Sequence, residues 1–201
     1  MRIGFFGGSF DPPHLGHLVV GRAAAEAFLL DQILWAPTGH QPLKPDGPSA
    51  PFEDRLAMVS LLCELDRHFQ ASSLDAPLPD GSPNFTVDTL TTLRAGCSTA
   101  DSIFVLVGAD AFLDLRRWKA PDALLALAEW IVVSRPSASL QQLQRLQLTP
   151  DQAGRVHLLD HVHEPANATG IRAQLRAGSD CTDLLPDSIL RYIREHHLYE
   201  T

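Results

Sequence analysis

The sequence predicts an α/β domain: a doubly wound parallel sheet with helices on both faces. Three observations carry this. Short apolar runs alternate with longer segments of helical periodicity along the chain. The first run leads through a glycine-rich loop into a helix and a second strand, a βαβ unit. The length, 201 residues with 45% hydrophobic side chains, suits one well-filled core and is short for two. No repeat, low-complexity tract or linker divides it, so residues 1–201 read as a single domain.

The elements follow in order. Residues 2–6, rich in Ile and Phe and ended by two glycines, read as a buried strand. A loop over 7–14 contains Asp11-Pro12-Pro13. Residues 15–30 form an amphipathic helix with an Ala-rich packing face, and 33–36 the next strand. Residues 37–51 are a long loop rich in Pro and Gly, a length often tied to function. A helix over 53–66 sets Leu56, Val59, Leu62 and Cys63 on one face; 69–78 is extended and partly β. Residues 80–83 make a turn, and 87–93 a helix with Thr86 near its start. The clearest buried strand is 103–107, running into the turn Gly108-Ala109-Asp110. Residues 130–133 and 156–159 are strands; 140–148, 168–176 and 187–196 are helices. In such a sheet ligands sit beyond the carboxyl ends of the strands. Residues 7–17, 108–110 and 134–136 fall there.

Composition excludes some function classes. The net charge of −8 gives no global attraction to nucleic acid or anionic membrane, so an anionic ligand must be held by local N–H groups and a few cations. Cys63, Cys97 and Cys181 are too few and too scattered for a disulfide framework or a zinc site, and read as free thiols. No apolar run spans a bilayer, and the N-terminus lacks a signal-peptide pattern; the expected location is cytoplasmic.

The chemistry is concentrated in Gly7-Gly8-Ser9-Phe10-Asp11-Pro12-Pro13-His14-Leu15-Gly16-His17. Two glycines after a buried strand let a phosphate approach the backbone, because no Cβ intervenes. The helix that follows points free N–H groups and its positive end at that space. His14 and His17 are three apart and share a face of its first turn, with Gly16 leaving room for a nucleotide. Two imidazoles there can donate hydrogen bonds as negative charge moves onto a leaving pyrophosphate. The segment is neither a Walker loop nor a G-x-G-x-x-G fingerprint, which sets kinases and dehydrogenases aside.

These residues resemble the nucleotidyltransferase superfamily with the H-x-G-H motif, and in particular its nicotinate-nucleotide adenylyltransferase branch. The resemblance covers nearly the whole chain. Pro83-Asn84-Phe85-Thr86-Val87-Asp88-Thr89-Leu90 is similar to that family's P-S-Y-T-x-x-T-L stretch, and Val107-Gly108-Ala109-Asp110 to its strand-end G-x-D. Trp118 stands where the family has a ring-stacking tryptophan, and Ser134-Arg135-Pro136 resembles its R-P turn. Leu184-Leu185-Pro186, Tyr192-Ile193 and Leu198-Tyr199 match its C-terminal pattern. Two segments depart from it. The second phosphate motif, I-S-S-T-x-I-R in the family, here reads Ala166-Asn167-Ala168-Thr169-Gly170-Ile171-Arg172. The family's P-P-H-K is Gln41-Pro42-Leu43-Lys44, with the cation kept and the histidine replaced.

The resemblance implies a Rossmann-like fold and transfer of AMP from ATP to nicotinate mononucleotide, giving deamido-NAD and pyrophosphate, with Mg²⁺ carried by the ATP phosphates. It implies His14, His17 and Arg172 as catalytic residues and Thr169 as a further phosphate ligand. Gly7, Gly8, Ser9, Phe10, Gly108, Asp110 and Arg135 join the ATP site; Lys44, Thr86 and Trp118 face the mononucleotide. The residues alone leave alternatives open. Trp118 can pack or stack; Asp110 and Thr86 can cap helices or touch ligand; Arg135 can be a surface cation or an ATP contact. Asn167 can cap a helix or bind, and Asp11 can be structural or lie near Mg²⁺–triphosphate. Arg116-Arg117 and His196-His197 read as surface. Nicotinamide mononucleotide, phosphopantetheine and a catalytically inactive nucleotide sensor are the competing readings. A homo-oligomer is left open.

Overall fold

The computed structural model describes residues 1–43, 47–133, 146–160, 162 and 167–200. Its centre is a six-stranded sheet: β1 (Arg2–Gly8), β2 (Gln32–Pro37), β3 (Phe69–Ala71), β4 (Ser102–Gly108), β5 (Glu129–Val133) and β6 (Val156–Leu159). All pairings are parallel, in the order β3-β2-β1-β4-β5-β6. The direction of winding reverses between β1 and β4, so a crevice opens beyond their carboxyl ends.

Around it lie α1 (Leu15–Ala27), α2 (Phe52–Cys63), α3 (Thr86–Ala95), α4 (Ala109–Leu113), α5 (Pro121–Leu127), α6 (Pro150–Ala153), α7 (Ala168–Arg176) and α8 (Asp187–Glu195). Strand side chains alternate between two faces, which sorts the core into two layers. One layer joins Phe6, Trp35, Phe104 and Ile131 to Leu18, Met58, Leu62, Ile171, Ile189 and Ile193, covering that face with α1, α2, α7 and α8. The other joins Phe5, Val105, Val107, Trp130 and Val132 to Leu90, Phe112, Leu124 and Leu125, from α3, α4 and α5. The expected two-faced sheet is present.

The differences from the sequence expectation have local causes. Gly7 and Gly8 are the last residues of β1, paired with Ala36 and Pro37, rather than the start of the loop. The helix expected to Leu30 ends at Ala27, and Leu29 turns back at φ 48° so that Leu30 can bury. Only Phe69–Ala71 of the 69–78 stretch is strand. α5 was not expected; its signal is Pro121, preset for the first helical turn, with Leu124 and Leu125 buried behind it. Most of the expected 140–148 helix lies outside the described residues. The cysteines are free thiols. Among the described residues no helix is long and apolar enough to cross a membrane.

Close helix–sheet packing depends on Gly21. A Cβ there would come within 2.6 Å of the Trp35 ring and 2.9 Å of the Phe69 ring, both buried. Gly21→Ala is expected to lower stability by about 1–3 kcal/mol, through overpacking that outweighs the gain in helix propensity. Urea unfolding at constant m-value checks this; an unchanged midpoint would mean that α1 lifts off the sheet without cost.

Candidate active site

The crevice between β1 and β4 holds a cavity of about 530 Å³. Gly7, Gly8 and Ser9 line it from β1, Gly108 and Asp110 from β4 and α4, and Thr86 from the start of α3. Trp118 completes the set of expected residues that line it, and Leu43, one of the departures, lines it too. Gly108 and Asp110, assigned to the ATP side, thus share one cavity with Thr86 and Trp118, assigned to the mononucleotide.

The helix starts show which of these residues cap. Phe85, not Thr86, is the N-cap of α3, so Thr86 is the first helical residue and its N–H is one of the donors a helix start leaves without an intrahelical partner. Gly108 is the N-cap of α4, so Asp110 sits in the first turn and is exposed to the cavity instead of capping. Trp118 packs edge-on against Trp130 at 6.1 Å, and its side chain also lines the cavity. Arg117 lines the cavity as well and pairs with Asp114 at 3.3 Å.

Beyond Ser9 the chain leaves the cavity wall and enters the histidine loop. His14 is the N-cap of α1 and is buried. The two imidazoles are tilted against each other with centroids 3.7 Å apart, as their spacing predicts. The His14 backbone N–H donates to His17 Nδ1 at 3.2 Å. An Nδ1 that accepts leaves the proton of a neutral ring on Nε2, so His17 is a donor through Nε2. Phe6 and Phe10 pack edge-on against the same ring, 5.9 and 5.0 Å away. His14 Nδ1 is buried with no hydrogen-bond partner among the described residues, a costly state that a ligand oxygen would relieve.

Burial pulls His14 from 6.5 down to about 4. Burial also holds His17 well below 6.5, with His14 adding repulsion. Both rings are therefore neutral at pH 7. As pH falls from 6.5 towards 4, the unfolded chain takes up protons that folded His14 refuses. Stability is full above that window and declines through it on acidification. The urea midpoint of the ligand-free protein is expected to fall between pH 7 and pH 5, less steeply in His14→Ala; equal slopes would contradict neutral burial.

The second phosphate motif lies on α7. Asn167 is its N-cap and accepts from the Gly170 N–H at 2.8 Å. A Cβ on Gly170 would stand 3.3 Å from Asn167 Oδ1, so the two departures from the family pattern fit each other. Arg172 Nη2 reaches Thr169 Oγ1 at 3.5 Å, and Arg172 Nη1 donates to the Asp11 carbonyl at 2.8 Å. The Arg172 guanidinium thus links α7 to the histidine loop. Lys44 and Arg135 lie outside the described residues.

Asp11 is the structural anchor of that loop. Its carboxylate accepts from the Ser49 and Ala50 N–H groups at 2.7 and 3.0 Å and from the Tyr199 hydroxyl at 2.8 Å. It lies 3.6 Å from Arg172 Nη1. These donors occupy both oxygens, so Asp11 does not offer an open pair to a cation. Beside it Arg55, 1% exposed, donates to the Ser9 and Ala50 carbonyls at 2.7 and 3.2 Å. Sequence reasoning missed Arg55, although it shares the helical spacing of the buried Met58, Val59 and Leu62. It also missed Asp75, a buried carboxylate that lines the cavity and accepts from Thr89 at 2.7 Å. A lone acid in an irregular segment has no periodic signal.

A family model described as cytidylyltransferase-like matches residues 5–174. A probable nicotinate-nucleotide adenylyltransferase of Solibacter usitatus is 34% identical over 200 residues, covering 99% of this chain and 100% of the relative. One from Roseiflexus sp. is 35% identical, covering 98% and 97%. The chain belongs to the nicotinate-nucleotide adenylyltransferase family. Its fold is that of the family too. The Plasmodium falciparum nicotinic acid mononucleotide adenylyltransferase complexed with NaAD superposes with a TM-score of 0.76 at 16% identity, over 99% of this chain and 97% of that one. The same enzyme complexed with APC gives 0.74. Family membership makes the chain a nucleotidyltransferase.

Proposed function

We propose that this chain transfers AMP from ATP to nicotinate mononucleotide, giving nicotinate adenine dinucleotide and pyrophosphate in the synthesis of NAD. The observation that carries the reading is the pair of neutral imidazoles at the start of α1, His14 buried with an unpartnered Nδ1 and His17 half-buried with its proton on Nε2. A phosphate oxygen of the mononucleotide attacks the α-phosphorus of ATP. The bond from that phosphorus to the bridging oxygen breaks, and pyrophosphate departs with the electron pair. The nucleophile is already ionised, so the protein's work is alignment and charge stabilisation.

His14, His17, Thr169 and Arg172 take the phosphates, with Gly7, Gly8, Ser9 and Phe10 shaping the approach. Thr86 and Trp118 take the nicotinate ring, and Lys44 the mononucleotide phosphate. Gly108, Asp110 and Arg135 take adenosine; that Gly108 and Asp110 line the same cavity as Trp118 supports a site shared by the two nucleotides. Mg²⁺ carried on the ATP phosphates would supply charge neutralisation for the leaving pyrophosphate. Among the described residues no group of three or more His, Cys, Asp or Glu side chains is arranged to hold a metal, and Asp11 is committed to its donors. The proposed setting is the cytoplasm, with no nucleic acid partner.

Pyrophosphate release with ATP and Mg²⁺ tests this, offering nicotinate mononucleotide, nicotinamide mononucleotide and phosphopantetheine in parallel. A clear preference for the first supports the reading. Preference for another keeps the chemistry and overturns the substrate. No release from any, in a sample that binds ATP, replaces the enzyme with a nucleotide sensor.

A further inference from the structure

Tyr199 lies 188 residues from Asp11 in sequence, yet its hydroxyl donates to the Asp11 carboxylate at 2.8 Å from a site that is 7% exposed. The chain bends sharply to bring it there: His197 and Tyr199 both adopt left-handed backbone, with φ 52° and 65°, which non-glycine residues enter only against a steric penalty. The Leu198 N–H, bonded to the Ile193 carbonyl at 3.0 Å, fixes the bend to the end of α8. The segment before α8 also touches the site, because the Leu184 carbonyl accepts the Leu15 N–H at the start of α1.

The other side of Asp11 faces Arg172. One guanidinium nitrogen, Nη1, is taken by the Asp11 carbonyl at 2.8 Å and lies 3.6 Å from Asp11 Oδ2. This leaves the remaining N–H groups of Arg172, on the Thr169 side, for an anion. Asp11 thus holds the guanidinium twice, by a hydrogen bond to its carbonyl and by the charge of its carboxylate. Two backbone donors, from Ser49 and Ala50, and one hydroxyl set the carboxylate plane. Of these, the hydroxyl is the one that a side-chain change can remove.

We propose that Tyr199 is a positioning residue of the phosphate site, acting through Asp11 on Arg172; this rests on the reading of Arg172 as a phosphate ligand. The segment after α8 is then part of the catalytic apparatus, although it touches no reacting atom. Its hydroxyl stays protonated and able to donate, because burial and the neighbouring carboxylate push its ionisation far up.

Tyr199→Phe removes the hydroxyl and keeps the ring in the core. Tyr192→Phe is the control: it removes the hydrogen bond to Asp54 at 2.9 Å from α8, the helix before Tyr199, and leaves Asp11 untouched. Pyrophosphate release, MgATP affinity by calorimetry and the melting temperature are measured for both, and for Tyr199→Phe in an Arg172→Lys background. Tyr199→Phe is expected to lower kcat about tenfold and weaken MgATP binding several-fold, the scale of one hydrogen bond to a charged group. The KM for mononucleotide stays within twofold, and Tyr192→Phe keeps wild-type kcat. In the Arg172→Lys background the tyrosine change adds little. A Tyr199→Phe protein with kcat and MgATP affinity both within twofold of wild type overturns the proposal. So does an equal further loss in the Arg172→Lys background, which would make the role structural. If the wild type binds MgATP but releases no pyrophosphate, the transferase reading fails, and MgATP affinity alone judges Tyr199. If it does neither, both fail.

Discussion

His17→Ala is expected to lower kcat for pyrophosphate release by about a hundredfold to a thousandfold, the loss that follows removal of one preorganised donor to developing charge. The reasoning starts from the ring's tautomer. The His14 N–H occupies Nδ1, so Nε2–H is fixed as the donor before any ligand arrives. Phe6 and Phe10 hold the ring plane, and burial keeps it neutral. A donor set in advance needs no reorganisation as charge builds on the leaving group, and alanine removes all of it. The KM for mononucleotide should change little, since the cavity residues Thr86 and Trp118 are untouched. The truncated ring leaves a void, so the melting temperature will drop by a few degrees; kinetics well below it separate the two effects. His17→Asn, which restores an N–H, should recover part of the loss. A kcat within threefold of wild type would remove His17 from the chemistry.

Asp11→Ala should have the largest effect on stability: a loss of about 3–5 kcal/mol, as expected when one member of a buried charged network is deleted. For a chain of this size that lowers the melting temperature by about 10 °C or more. Three donors, the Ser49 and Ala50 N–H groups and the Tyr199 hydroxyl, lose their acceptor, and Arg172 loses its counter-charge. The buried Arg55 stands nearby with its charge less compensated. Activity at low temperature should fall as well, because the same carboxylate anchors the Asp11–His14 loop and supplies the counter-charge of Arg172. Calorimetric melting of the ligand-free protein is the measurement. A shift of under 3 °C would mean that the backbone contacts of Arg55 and Arg172 suffice without the side chain.

The sequence was most legible where one residue type has one job. Strands β1 and β4 are apolar runs that end in glycine, and their membership of a parallel sheet follows from strand–helix alternation. The histidine pair was legible because a spacing of three on a helix start allows only one mutual arrangement. Asn167 was legible as a cap because its side chain has few other uses before a helix. What stayed hidden depends on contacts far apart in sequence. Nothing in Asp11-Pro12 says that Tyr199 will reach it, and nothing in 69–78 says that Asp75 will line the cavity. Arg55 was half-visible: its spacing marks the buried face, but its charge argues for solvent. The structure resolves that conflict by giving the guanidinium two carbonyls.

The Asp11–Tyr199 bond also sets an order of events during synthesis. At about 5–20 residues per second, Tyr199 is made roughly 10 to 40 s after Asp11. Throughout that interval the histidine loop, β1 and the first helices can form, but the carboxylate that anchors the loop lacks one of its donors. A nascent chain that has already folded its N-terminal half would therefore hold an incomplete phosphate site. Turnover would reach its full rate only after the turn that carries Tyr199 closes over the first loop.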